Sequence, residues 1–200
     1  MSDTLFDLFE HPVYMNKPDT HLHLFRFANI GLFVGYWIFM IASYPELPEE
    51  IPMHFGSGGS ATWYADTSMI TWFMVPAFIT VIFALLLGFS RLSKSMPLHS
   101  VWLNYPFKKE VLELDKPTQY EFAKKIYHYI DISFQVLIMW VLILFIYTGI
   151  FKYKYITGDW NLPLLPVVIG LILLLAGHVY WLSVQLKKDI RERLNQIKAS

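Results

Sequence analysis

Four long apolar segments divide this chain, and its charged residues are concentrated between them. The segments cover residues 27–44, 68–89, 130–151 and 162–186. Each is close to the ~20 residues that an α-helix needs to cross the hydrocarbon core of a bilayer. The pattern therefore predicts an all-α polytopic membrane protein with four transmembrane helices, rather than a soluble protein with four buried helices.

Capping and proline signals refine the predicted helices. Pro76 lies inside the second span and predicts a kink there. Thr118 and Glu121 have the spacing of a capping box, and Pro117 suits a first helical turn. We therefore expect one helix that starts within residues 115–118 and continues without a break into the third span.

The tail also has a helical pattern, which predicts a continued helix with a narrow apolar stripe. Three placements fit this stripe: on the membrane surface, on the basic segment 91–125, or in solvent as part of a solubilising tail. The stripe consists of Leu186, Ile190, Leu194 and Ile197.

These elements predict five divisions of the chain. The N-terminal segment, in which residues 4–10 form a short amphipathic stretch, is expected to lie in the cytoplasm. The divisions are the N-terminal segment 1–26, a first helical hairpin 27–90 with an outer loop 45–67, a basic loop and helix 91–126, a second helical hairpin 127–186, and a tail helix 187–200.

The distribution of lysine and arginine predicts the orientation. From the N-terminal segment to the tail, the five connections carry two, zero, seven, two and five of these residues. Because basic residues are retained on the cytoplasmic side, both termini and the segment 91–125 are expected inside. The first loop then faces outward.

That first loop contains the most distinctive sequence in the chain. Pro48 and Pro52 disfavour helix in the residues before them, and the glycine-rich run 56–60 favours turns. Trp63 and Tyr64 have amphipathic rings that prefer the membrane interface. The segment is therefore predicted to be an ordered loop of defined shape.

Within this loop, the apolar residues are expected to pack on the outer ends of the spans. Leu47, Ile51 and Phe55 are the side chains predicted to make this contact. His54 is predicted to point inward as a hydrogen-bonding group. A zinc site formed by His54 with Glu49, Glu50 and Asp66 is the alternative, but the loop has no second histidine and structural zinc usually has four ligands.

The loop resembles the SdpI-like family of bacterial membrane proteins, whose loop domain is the domain of unknown function numbered 1648. The turn at Leu103-Asn104-Tyr105-Pro106 is similar to the second half of related proteins. Where family members often have a lysine after the glycine and aromatic segment, this chain has Asp66-Thr67-Ser68. The matching positions are Leu47, Pro48, Ile51, Pro52, His54, Phe55, Gly59 and Trp63 or Tyr64.

The resemblance implies a multi-pass protein of the bacterial cytoplasmic membrane. The role of the family's type member is immunity against a secreted peptide toxin, together with signalling to a repressor. The resemblance implies a role of this kind.

Composition narrows the possible chemistry. The chain is 55% hydrophobic, has a formal net charge of zero and contains no cysteine. Disulfides and thiolate metal sites are therefore excluded. The acidic N-terminus lacks the basic start of a secretory signal, so no cleaved signal peptide is predicted. His11, His21 and His23 form either a metal site or a solvated linker.

Three polar side chains within the apolar segments are candidate functional residues, because ionisable groups in a membrane usually have a function. They are Asn29, Asp131 and His178. We expect His178 to bond a neighbouring helix through Asp131 or Asn29. A haem held between His128 and His178 is the alternative.

No catalytic residue is predicted, because the sequence contains no recognisable catalytic motif. The run 56–60 lacks the lysine of a phosphate-binding loop. The basic segment is explained by topology and anionic lipid, so nucleic acid is not expected as a partner. The leading hypothesis is therefore a non-enzymatic membrane protein without a cofactor, whose outer loop recognises a ligand, a peptide or a partner subunit. A small transport or redox subunit, or an accessory subunit of a larger membrane complex, is the alternative.

Overall fold

Five helices and one two-stranded hairpin form the described part of the chain. The structure is a computed structural model, and it describes residues 20–56, 59–158 and 164–199. The predictions for residues 4–10 and for His11 lie outside these ranges. The helices are α1 (Thr20–Ser43), α2 (Met69–Ser95), α3 (Lys108–Leu112), α4 (Lys116–Thr157) and α5 (Leu164–Ala199), and the strands are β1 (Glu50–Phe55) and β2 (Ala61–Asp66).

Four of these helices are long and apolar enough to cross a membrane, as the sequence predicted. Two of them are longer than a bilayer requires, since α4 has 42 residues and α5 has 36. At a rise of 1.5 Å per residue they extend roughly 63 and 54 Å, compared with ~30 Å for a hydrocarbon core. Both helices therefore continue beyond the membrane-spanning part of the bundle.

Helix α4 is at the centre of the bundle and packs against α1, α2 and α5. The approach to α1 is close at Gly149, where an added Cβ would lie 3.0 Å from Cε2 of Tyr36. Large side chains from three helices and β1 bury one another around this point. This bundle core consists of Tyr36, Met40, Ile51, Trp72, Ile79, Ile138 and Leu142.

The bundle has two distinct ends. The hairpin end carries the 3-10 turn Tyr44–Glu46, β1 and β2. The opposite end, called the basic end below, carries Arg26, Arg91 and Lys94.

At the basic end, the extensions of α4 and α5 form a second hydrophobic core with the segment that precedes α4. The apolar stripe of the tail therefore packs on this segment, which is one of the three placements left open by the sequence. Its buried members are Leu103, Tyr105, Val111, Phe122, Ala123, Ile126, Tyr127, Leu186, Ile190 and Leu194.

The start of α4 confirms the continuous helix and corrects its cap. Asp115 is the N-cap residue, and its carboxylate accepts a hydrogen bond from the Thr118 backbone N–H at 3.3 Å. Hydrogen bonding from Thr118 also holds the pKa of Asp115 below its usual range. Glu121 instead pairs with Arg193 of α5 at 2.8 Å. The predicted capping box was wrong because a better cap lies three residues earlier and Glu121 has a long-range partner.

Candidate functional sites at the two ends of the bundle

The segment predicted to be a loop is an antiparallel β-hairpin. Ile51 pairs with Ala65, Pro52 with Tyr64, and the register shifts between Pro52 and His54. Pro52 is compatible with β1 because proline is tolerated at sheet edges and bulges, and Pro48, Gly56 and Gly59 lie outside the strands. A two-stranded sheet consists only of edge strands.

Hydrogen bonds close both ends of this hairpin. At the tip, the Gly56 N–H donates to the Ser60 carbonyl at 2.9 Å. Gly59 has a φ of 81°, a left-handed conformation that glycine adopts without strain. At the base, the Thr67 N–H donates to the Glu49 carbonyl at 2.7 Å. The hairpin is thus a defined structure, as the sequence indicated, although not a loop.

One side of the hairpin is packed on the helices. Ile51 is fully buried in the bundle core, and Leu47 packs against the same core. The Phe55 ring lies edge-on to Phe151 and Tyr155, with centroids 5.1 Å apart in both pairs. The predicted packing of Leu47, Ile51 and Phe55 is confirmed.

The other side of the hairpin is exposed. His54 is solvent-exposed, and its Nδ1 lies 2.7 Å from the Thr62 hydroxyl. The prediction that His54 points inward was wrong, because its hydrogen-bonding partner is on the neighbouring strand and not on a helix. Trp63 and Tyr64 are 59% and 46% exposed. The hairpin therefore presents a polar pair and two aromatic rings to its surroundings.

A small cleft separates the hairpin from the last turns of α4. Its volume is about 230 Å³. A hydrogen bond between the Tyr64 and Tyr155 side chains lies beside it, and this bond raises the pKa of Tyr64. Ala61 donates its backbone N–H to the Tyr155 hydroxyl at 3.1 Å. The cleft is lined by Pro48, Glu50, Pro52, Tyr64, Tyr155 and Ile156.

Lys152 is a feature of the hairpin end that the sequence did not single out. Its Nζ lies 5.3 Å from the centroid of the buried Trp72 ring and 3.7 Å from the Met53 sulfur. Lys152 forms no ion pair with a carboxylate of the described residues. A contact with an aromatic face stabilises such a cation in place of a carboxylate.

At the basic end, a buried carboxylate connects three helices. Asp131 of α4 accepts from Arg26 of α1 at 2.6 Å, from Ser90 of α2 at 2.8 Å and from Lys94 of α2. Asp131 is 2% exposed. The sequence identified Asp131 as a candidate but did not identify its partners, since they lie 37 to 105 positions away along the chain.

Asn29 belongs to the same region but has a different partner. Its Nδ2 donates to the backbone carbonyl and to Oε1 of Gln135, at 2.9 and 3.0 Å. His178 lies edge-on to Trp181 of its own helix at 6.0 Å. The predicted pairing of His178 with Asp131 or Asn29 was therefore wrong. Asp131 bonds α1 and α2 instead, and Asn29 bonds Gln135 of α4.

The zinc site at His54 and the haem between His128 and His178 remain predictions. No cluster of three or more His, Cys, Asp or Glu side chains that could hold a metal ion occurs within the described ranges. His128 lies edge-on to Tyr129 at 6.0 Å, on α4. The proposed haem pair of His128 and His178 is not tested by these contacts.

The family comparison points to the hairpin end. Residues 31–80, a quarter of the 200-residue chain, match a family described as "Domain of unknown function (DUF1648)". The match covers the second half of α1, the hairpin and the start of α2, and it excludes Asp131 and the basic segment. No curated protein and no solved structure matches the chain.

Proposed function

We propose that this chain is a non-enzymatic, multi-pass membrane protein that recognises a peptide or a partner protein with its hairpin. The cleft between the hairpin and α4 carries this proposal, because three of its lining residues are Pro48, Pro52 and Tyr64 of the sequence-predicted site. At about 230 Å³ it is smaller than most pockets for drug-sized ligands, which span roughly 300–1,000 Å³. A cleft of this size suits one or two side chains of a peptide better than a whole cofactor.

The chemistry of the cleft and its surroundings supports a peptide. Pro48 and the tyrosine rings supply an apolar surface with hydroxyl groups, and the exposed Glu50 supplies a negative charge at the rim, whereas Pro52 is fully buried. The exposed Trp63 ring extends the surface beyond the cleft. Aromatic side chains are enriched in protein interfaces, since they bury a large area at a low cost in conformational entropy. The preferred partner is therefore a segment with an apolar and a basic side chain.

We also propose that the protein is SdpI-like and lies in the bacterial cytoplasmic membrane with both termini inside. The match over residues 31–80 and the loop motif support the family, and the basic residues of the connections support the orientation. Reporter fusions after Ala61 and after Lys109 test the topology. We expect an external reporter at Ala61 and a cytoplasmic one at Lys109, and the reverse pattern would refute the orientation.

Site-specific crosslinking tests the recognition surface. A benzophenone amino acid at Trp63, activated in intact membranes, is expected to give a defined adduct. Tyr64→Ala should abolish the adduct, because it removes one wall of the cleft. Tyr180→Ala is the matched control, as Tyr180 is 71% exposed on α5, away from the hairpin, and should leave the adduct unchanged.

Thermal stability in detergent separates binding from folding in this experiment. If Tyr64→Ala lowers both the thermal stability and the crosslinking yield, the residue supports the hairpin and does not recognise a partner. An adduct that survives Tyr64→Ala would contradict the proposal.

A further inference from the structure

We propose that the cavity at the basic end binds the phosphate of an anionic membrane lipid. This cavity lies between α1, α2 and α4 and has a volume of about 260 Å³. Its lining brings together the three cations Arg26, Arg91 and Lys94 with one carboxylate, Asp131. Neither the loop motif nor the family match includes this site.

The charges in the cavity do not balance, and the excess is positive. Asp131 Oδ2 accepts from both Arg26 and Lys94, while Oδ1 accepts from Ser90, so both oxygens are already in use. Arg91 is exposed and forms no ion pair with any residue in the described ranges. A phosphodiester supplies a negative charge and several acceptor oxygens, and it forms strong hydrogen bonds with guanidinium groups.

An unused acceptor in the same cavity specifies the ligand further. Asn29 lines the cavity and is 1% exposed, with its Nδ2 donating to Gln135. Its Oδ1 is buried without a hydrogen-bond partner in the described structure. Buried polar atoms are usually bonded, and an unbonded one costs free energy. A head group that carries a hydroxyl donor beside its phosphate satisfies this oxygen.

An apolar wall distinguishes a lipid from a free phosphate. Ile30, Phe83 and Leu87 complete the lining, and Ile30 is 53% exposed. Cationic and apolar surfaces thus lie side by side at the level where α1 begins and α2 ends. Lipids with an acyl chain attached to the phosphate match both surfaces, and juxtamembrane arginine and lysine residues attract anionic head groups.

Native mass spectrometry of the full chain in a neutral detergent tests this proposal. We expect retention of one phosphatidylglycerol, with weaker binding of phosphatidylcholine. Arg91→Gln should weaken phosphatidylglycerol binding by about tenfold, the effect of losing one charge-assisted hydrogen bond. The matched control is Lys187→Gln, which removes an exposed positive charge at the same end but outside the cavity and should leave binding unchanged.

Three results would overturn the proposal. The first is equal binding of phosphatidylcholine and phosphatidylglycerol, and the second is phosphatidylglycerol binding that Arg91→Gln does not change. The third is full displacement of the lipid by inorganic phosphate, which would assign the cavity to a free oxyanion. Arg91 lies outside the Asp131 hydrogen-bond network, so the variant is expected to keep the stability of the parent, and Arg91→Lys should restore part of the binding. Tyr64→Ala at the hairpin should not change lipid binding, which separates this result from the proposed function.

Discussion

The hairpin end and the basic end place polar groups against the same bundle in opposite ways. At the hairpin end, apolar side chains face the helices, as Ile51 does, and polar atoms such as those of His54 and Thr62 face outward. At the basic end, the carboxylate of Asp131 is itself buried between helices. The hairpin is therefore held on the helices mainly by packing, whereas at the basic end a buried charge network joins α1, α2 and α4 beside the second hydrophobic core.

The two ends therefore differ in the substitutions that they tolerate. Shortening an apolar side chain of the hairpin leaves a gap that neighbouring residues partly fill. Removing a charge from the Asp131 network leaves its partners with excess charge at a position of low polarity, which is more costly. We expect the basic end to be the more sensitive to single substitutions and the hairpin end to be the more tolerant of change on its exposed face.

The largest expected effect is that of Asp131→Asn. This variant leaves Arg26 and Lys94 without their shared carboxylate, and breaking a buried ion pair in this way typically costs about 3 to 5 kcal/mol. Because Arg26 and Lys94 side chains are 37% and 22% exposed, we expect the lower part of that range. Thermal unfolding in detergent measures the loss.

A surface ion pair supplies the control for this prediction. Glu121→Gln breaks the ion pair between Glu121 and Arg193, whose two side chains are 59% and 43% exposed. This change should lower the free energy of unfolding by less than about 1 kcal/mol. Adding Lys94→Gln to Asp131→Asn should restore part of the lost stability. Equal losses for Asp131→Asn and Glu121→Gln would show that the buried Asp131 network is no more costly to break than a surface ion pair.

The second prediction concerns the packing of the hairpin. Ile51→Ala removes a fully buried side chain from the bundle core and should cost about 2 to 3 kcal/mol, the lower part of the range for such truncations. The lower part applies because the hairpin can settle into the space. Val101→Ala is the control, since Val101 is 87% exposed, and its effect should stay within about 0.5 kcal/mol. An unchanged melting temperature for Ile51→Ala would mean that the hairpin is not packed on the helices.

The third prediction compares two helical glycines. Gly177→Ala should stabilise the protein by up to ~1 kcal/mol, because nothing lies within 4 Å of the added Cβ and alanine favours helix. Gly149→Ala should lose this gain, since its Cβ would lie 3.0 Å from the buried Tyr36 ring. Similar gains at both positions would show that α1 and α4 separate easily near the hairpin end.

The sequence predicted the features that depend on neighbouring residues. The lengths of the apolar segments predicted four spans. Pro117, with a capping box at Thr118 and Glu121, predicted that α4 runs unbroken from the basic segment into the bundle, although the cap itself is Asp115. The apolar stripe at Leu186, Ile190 and Leu194 predicted a helical tail, although the sequence could not choose its partner. All of these follow from periodicity and capping over a few turns.

The features that were wrong or missing depend on distant residues. Pro52 and the glycines favour turns locally, so the pairing of β1 with β2 was not predicted. Nothing in a single sequence indicates that Asp131 meets Arg26, which lies 105 positions away. The same limit led to the incorrect assignment of partners to His178. Charge and polarity identified the candidate residues, whereas the tertiary fold determined which of them meet.

The smallest expected effect at neutral pH is that of Tyr105→Phe in the second hydrophobic core. The Tyr105 hydroxyl is buried without a hydrogen-bond partner in the described structure, so its removal should be neutral or slightly stabilising. Burial, with a contribution from the nearby Tyr127, raises the pKa of Tyr105 to about 12. In an unfolded chain the tyrosine pKa is about 10.

The difference between these two pKa values gives the prediction a pH dependence. The folded protein resists ionisation of Tyr105, so this stabilisation is complete below pH ~10 and is lost as the pH rises through the pKa of about 12. The parent should therefore lose stability faster than Tyr105→Phe between these pH values, while the two proteins match near pH 7. Urea or thermal unfolding of both proteins across this range measures the difference. Parallel profiles would mean that the Tyr105 hydroxyl reaches solvent, and that the second core is looser at this position than the packing of Leu103 and Tyr105 indicates.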